Sequence, residues 1–408
     1  MIFDGQEIAE IRNMEGRSGL TVACCNDSFE VFQLLSSLGC PMGEQDTEIK
    51  DPLEVAVKFT SLRIMEHLLT QENASITEKV VEAAVGNEDG GPVVLELILK
   101  LGKEIPITEK IVKAAAGNSL SGVEVLGLLL KQDREIPITQ EIIETAAGSG
   151  SRSCEVLELL LKQRGEFSIT EEIMLAAARN YSGGVAAMEF LLKQGSEVPI
   201  TEEIVKSAAG NIFSGIGLLE LLFRQDGEIP ITEDVLVEAG SNRPTGLEVM
   251  ELLLWRDKGI PITEKVVTAV AGCPFNSHLL RMLLNHDREI LITEGVLLAA
   301  ALNNFGGTES MELLLEWNPE VPITEPIVLA AARNATDGSM LMSLLLKKDR
   351  EILITESVLD AAAHNRQCGA LMIEELQKYG REITFTEKVV EAALCKGGNP
   401  LMLQLMRK

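Results

Sequence analysis

The feature that most constrains this chain is a threonine that returns at a fixed interval. Thr77, Thr108, Thr139, Thr170, Thr201, Thr232, Thr263, Thr293, Thr324, Thr355 and Thr386 each begin a copy of one phrase, which reads ITEEIVKSAAGN from Ile200 to Asn211. Nine of the ten gaps are 31 residues and one, from Thr263 to Thr293, is 30. Such a period marks units that cannot bury an apolar face alone, so neighbours must stack. The 408 residues therefore count repeats and not separate globular cores.

Thr201–Ile231 serves as the unit, with positions counted from the threonine. Thr201 is placed to cap a helix, and Glu202 and Glu203 put negative charge on its positive end. Ile204, Val205, Ser207 and Ala208 form an inward stripe whose small members permit close helix approach. Gly210 and Asn211 are residues that tolerate the left-handed ending of a helix. After Ser214-Gly215, the run Ile216, Leu218, Leu219, Leu221, Leu222 and Phe223 makes a second apolar face. Asp226-Gly227 breaks it, and Glu228-Ile229-Pro230-Ile231 is an extended linker with two buried isoleucines. The expected architecture is all-α: a curved α-solenoid of about 11 helix-turn-helix repeats stacked roughly 10 Å apart.

The ends depart from the pattern. LEVAVKFTSLRIMEHLL (53–69) and the Gly19–Gly39 segment place divergent capping repeats in 1–75, regular repeats in 76–385 and a C-terminal cap in 386–408. Glu375, Gln377 and Arg407 stand in columns that hold leucine elsewhere, such as Leu97 and Leu99, and read as polar capping.

A composition 46% hydrophobic and only 4% aromatic suits a core of close aliphatic helices. A formal charge of −26 argues against nucleic acid and anionic membrane as partners, since both are attracted by excess Lys and Arg. Cys24, Cys25, Cys40, Cys154, Cys273, Cys368 and Cys395 lack ligand spacing and read as free thiols in a reducing compartment. Residues 1–22 lack an apolar leader core and no run spans a membrane, which makes cytoplasmic the expected location.

ITEEIVKSAAGN and ITEKVVEAAVGN, each followed by a segment like EVLELLLKQDREIPI, resemble the degenerate ankyrin-like repeats of large fungal proteins over residues 76–408. The resemblance implies an interaction scaffold and carries no activity, cofactor or metal with it. No GxxxxGK[ST] phosphate loop, HExxH, paired CxxC or GxSxG occurs. Gly183-Gly184, Gly306-Gly307 and Gly397-Gly398 share one repeat column and read as hairpin turns.

Function is sought where the repeats disagree. Positions 3, 6, 10 and 13 share the first-helix face opposite the apolar stripe, the concave side by analogy with ankyrin arrays. There Leu175, Val237, Leu298 and Leu329 replace charge, Arg179, Leu302 and Arg333 replace glycine, and Tyr181, Phe213, Phe275 and Phe305 occupy turns. These eleven residues are the candidate partner or ligand surface, unless they fold back and complete the packing. Glu238 stands where the other repeats have Ala, Ser or Thr, and Asp360 and His364 lie four apart on one face. No catalytic residue is assigned, although these three are the candidate acids and bases; the bland readings are that Glu238 reaches solvent or Asn242 and that Asp360 and His364 are an exposed polar pair. Two acidic rows, at position 2 (Gln140 excepted) and in the linkers (Glu104, Glu135, Glu166, Glu197, Glu228, Glu289, Glu320, Glu351, Glu382), suit helix-end electrostatics and solubility, with a basic partner as an alternative. The leading expectation is a protein- or peptide-binding scaffold. The others are an enzyme or carrier for an apolar small molecule, and a structural spacer; the sequence leaves the oligomeric state open.

Overall fold

The computed structural model describes residues 13–14, 16–40, 51–71, 75–132, 136–165, 167–194, 200–287, 289–349, 351–379 and 386–394. Among these the chain forms 25 α-helices and no strand, with isolated bridges at Arg17 and Ser18. Two compact units divide it, Met1–Pro199 and Ile200–Lys408.

Unit one holds six helical hairpins. Two irregular ones, Gly19–Cys25 with Phe29–Ser37 and Pro52–Lys58 with Leu62–Leu69, precede four regular ones that run from Glu78–Val85 to Gly184–Gln194. Unit two holds six hairpins, from Glu202–Gly210 with Gly215–Phe223 to Glu356–His364 with Gly369–Lys378, followed by Glu387–Leu394. First helices of the regular repeats are only 8 or 9 residues long, too short to persist alone, so stacking must supply their stability. Within each unit every first helix packs on its own second helix, and like helices of neighbouring repeats pack on each other. From Glu202 to Arg333, first helices pack on one another more closely than second helices do.

The inward stripe differs from the expected one by a column. Ile204, Val205, Ala208 and Ala209 are buried, while Ser207 is half-buried, so position 9 and not position 7 completes the core. On the second helix Gly215, Leu218, Leu219 and Leu222 are buried, and Ile216, Leu221 and Phe223 only partly, a narrower stripe than expected. Ile229 and Ile231 are half-buried, and full burial of the linker pair is reached at Ile290 and Ile292.

The helix-ending asparagine is not left-handed. Asn211 has φ −73° and ψ 110°, while Gly210 is still helical. Its column is a buried polar ladder. Asn334 Nδ2 donates to the carbonyls of Ala301 (3.0 Å) and Asn303 (2.8 Å) in the repeat before, and Asn365 does the same to Ala332 and Asn334. Each Oδ1 accepts amides of its own turn, such as Asp337 N at 2.8 Å. One side chain thus ends its helix, shapes the turn and ties two repeats through groups that burial would otherwise leave unpaired.

The threonines also act between repeats. Ten of them, Thr77 to Thr355, sit at a helix N-cap in extended conformation, and of these Thr77, Thr108, Thr263 and Thr355 accept the amide of position 4. Hydroxyls of Thr108, Thr232, Thr355 and Thr386 donate to position-2 glutamates of the preceding repeat at 2.6–2.7 Å. Gln140 reverses the polarity, its amide donating to Thr170 Oγ1 at 2.8 Å. The position-2 acids are therefore joints between repeats as well as charges at helix ends.

Candidate functional site

Unit one carries Leu175 half-buried and Arg179 and Tyr181 exposed; unit two carries the other eight residues of the expected surface. In unit two Val237, Leu298 and Leu329 are half-buried between first helices. Phe213 (73%), Phe275 (71%), Leu302 (55%) and Phe305 (48%) remain largely exposed, whereas the core positions of the same helices are fully buried.

The one 30-residue repeat explains the most unusual of these residues. Core Leu279 lies 16 residues after Thr263, while Val249 lies 17 after Thr232, so the missing residue falls in the turn before the second helix. Cys273 stands in the asparagine column, and Asn276 Nδ2 donates instead to Gly240 O at 3.0 Å, the carbonyl the ladder would have reached. Closing the shortened turn puts Phe275 at φ 63°, a conformation that costs a non-glycine residue about 1–3 kcal/mol. Its amide donates to Phe305 O at 2.9 Å, and the two rings stack with centroids 5.5 Å apart. The strain holds two exposed aromatic rings of adjacent repeats together.

Glu238 is half-buried, so it keeps some contact with solvent, and it makes no hydrogen bond to Asn242. It lies over Gly210 of the preceding repeat, where an added Cβ would come within 2.6 Å of its Oε1. The next exception is complementary in the same way: a Cβ on Gly240 would meet Val270 Cγ2 at 2.7 Å. Bulk in one repeat is matched by glycine in the one before it, so Glu238 is a packing exception.

Asp360 and His364 share an open groove of about 420 Å³ with Arg333, Ser357 and Lys388. His364 Nδ1 is 2.9 Å from the backbone oxygen of Asp360 and 3.8 Å from its carboxylate. A carbonyl oxygen only accepts, so Nδ1 carries the hydrogen and Nε2 is the nitrogen left for another partner. Among the described residues no hydrogen bond joins Ser357 to His364, which leaves that hydroxyl without an activating base. Glu238 and Arg179 do not line the groove.

Cysteine chemistry finds no support in burial. Cys24 is pushed up to about 12 by loss of solvent, and burial likewise raises Cys154 and Cys273, which keeps them as thiols at neutral pH. The six described cysteines form no disulfide with one another, and Cys395 and Arg407, like Gly397-Gly398, lie outside the described residues. Glu375 is half-buried with Lys378 as its partner, and Gln377 is exposed. Gly183 and Gly306 lie in hairpin turns, with Gly184 and Gly307 opening the second helices. No group of three or more metal-ligating side chains occurs among the described residues, and no helix there is long and apolar enough to cross a membrane.

Reading the sequence alone missed three things: the asparagine ladder, the threonine–glutamate joints and the strain at Phe275. The first two left a visible signal in columns nearly as regular as the threonine itself. The third left only a gap of 30 among gaps of 31.

A family model described as a domain of unknown function, DUF7104, matches residues 70–94, 97–125, 128–156, 159–188, 190–217, 221–250, 252–276, 282–311, 313–342, 344–372 and 376–393. Each matched segment contains one of the eleven threonines. No curated protein matches the chain.

Proposed function

We propose that this chain, which belongs to the DUF7104 family, is an ankyrin-like scaffold that binds a protein or peptide through the first-helix face of its second unit. The observation that carries the reading is the Phe275–Phe305 pair: exposed, stacked, and held by a backbone conformation that costs stability. Strain kept at an exposed position is typical of sites that pre-organise a contact. Leu302 is exposed in the same repeat as Phe305, and half-buried Leu298 and Leu329 continue the apolar lining along that face. An aromatic centre flanked by aliphatic side chains has the composition of an interface hot spot.

Of the two acidic rows, seven position-2 glutamates accept from the threonine of the following repeat. Glu228, Glu289, Glu320 and Glu351 of the linkers are exposed and remain available to a basic partner.

The test is affinity capture from extract of the source cells with the wild type and Leu302→Asp. A charge placed on a face that buries against a partner costs several kcal/mol of binding. The reading predicts a protein captured by the wild type and lost by the variant at unchanged helicity. Equal recovery by both would reject this face.

A further inference from the structure

The groove around Arg333 is polar where the neighbouring face is apolar, and two cations, Arg333 and Lys388, line it together. Four cations on other first helices find carboxylates: Lys110 with Glu82 at 2.7 Å, Lys206 with Glu203 at 3.3 Å, Lys113 with Glu141, and Lys265 with Asp234. Arg333 and Lys388 make no ion pair with any described residue, in a chain with 62 acidic side chains against 36 basic ones. They come from different repeats and line one groove of about 420 Å³, a size that suits a small molecule or a single side chain.

We propose that this groove is a binding site for an oxyanion, a carboxylate or phosphate group seated between Arg333 and Lys388. The guanidinium presents a planar fork of donors that matches either group in two-point contact, and the ammonium adds a point charge. Ser357 supplies a hydroxyl donor from the same helix face as Asp360 and His364. Asp360 is the one carboxylate of the lining, set against the two cations Arg333 and Lys388. With its Nδ1 hydrogen committed to a backbone oxygen, His364 keeps Nε2 as the ring nitrogen left for a ligand. Asp360 in turn favours a ligand that carries a hydroxyl or amine next to its anionic group. This inference goes beyond the peptide-binding reading and does not rest on it, because that reading is carried by Phe275, Phe305 and Leu302.

The experiment is a titration of the full chain with inorganic phosphate and, separately, with succinate, at about 0.1 M ionic strength so that diffuse attraction is screened. The ring resonances of His364 report binding. A saturable shift with either probe, weakened at least about tenfold in both Arg333→Gln and Lys388→Gln and partly kept in Arg333→Lys, is the expected result. A response to phosphate alone names a phosphate ligand, a response to succinate alone a carboxylate, and a response to both the shared chemistry. Absence of a saturable shift with both probes, or a shift undiminished in Lys388→Gln, overturns the proposal. Both substituted residues are exposed, so unchanged circular dichroism is expected of each variant.

Discussion

A methyl group added at Gly240 tests how the array absorbs an exception. Its carbon would lie 2.7 Å from Val270 Cγ2, inside a packed contact between two repeats. Gly240→Ala is predicted to cost about 1–3 kcal/mol by overpacking. Val270→Ala alone leaves a void and also destabilises. The double variant recreates the alanine pair that Ala209 and Ala239 use at the same two columns, so its cost is predicted to fall below the sum of the singles by about 1 kcal/mol or more. Urea denaturation of the four proteins measures this, and strictly additive costs would contradict the pairing. The residue scale is also where sequence reading reached least far. Glu238 was visible as an anomaly, but its cause, Gly210 in the previous repeat, is a contact between residues 28 apart that helical periodicity does not display.

At the scale of the element, each short helix is stable only because its ends are joined to a neighbour. Asn334→Ala removes the donors to Ala301 O and Asn303 O and frees the amide of Asp337. The predicted cost is about 1–3 kcal/mol, with hydrogen exchange at Asp337 accelerated more than at amides of distant repeats. A joint of a different kind is Arg152, which bridges Glu124 of the preceding repeat at 2.7 Å and Glu155 of its own at 2.8 Å. Hydrogen bonds from Arg152 hold both carboxyls below the usual glutamate range. Lowered folded values mean that the stabilisation is present above about pH 4.3, the unfolded value, and is lost as pH falls through the folded ones. The stability difference between wild type and Arg152→Ala is therefore expected to be largest near neutral pH and to vanish in strong acid; a constant difference would assign the effect to packing of the arginine stem. The helices themselves, their caps and their apolar columns were legible in the repeat. The roles of Thr and Asn as ties to the neighbour were not, because one repeat viewed alone offers a local use for each.

At the scale of the whole molecule, repetition makes the parts interchangeable. Residues 293–323 are one 31-residue unit, and their removal joins Ile292 to Thr324 in register. Stability in such arrays is close to a sum over repeats and their interfaces, so this deletion is predicted to leave helicity per residue unchanged and to lower the urea m-value with the surface removed. Loss of helicity throughout would mean that the second unit depends on that repeat in particular. Period, fold class and the location of unusual side chains were all legible at this scale, because they are properties of the column and not of the contact. Which exceptions serve packing and which face outward had to come from structure: Glu238 and Val270 fill neighbouring glycines, while Phe275 and Leu302 are exposed.

Strained Phe275 of the 30-residue repeat, stacked on Phe305 of the next, exists for binding and not for the fold on the reading proposed above. Glycine adopts φ 63° freely, so Phe275→Gly removes the ring and relieves the strain together. The relief of about 1–3 kcal/mol is opposed by the lost stack on Phe305 and by the larger freedom of the unfolded glycine chain. The most direct measurement is the affinity of Phe275→Gly for the captured partner, taken beside its urea stability. The account predicts stability within about 1 kcal/mol of the wild type and binding weakened at least about tenfold. Unchanged binding, or a loss of binding that only follows unfolding, would contradict it.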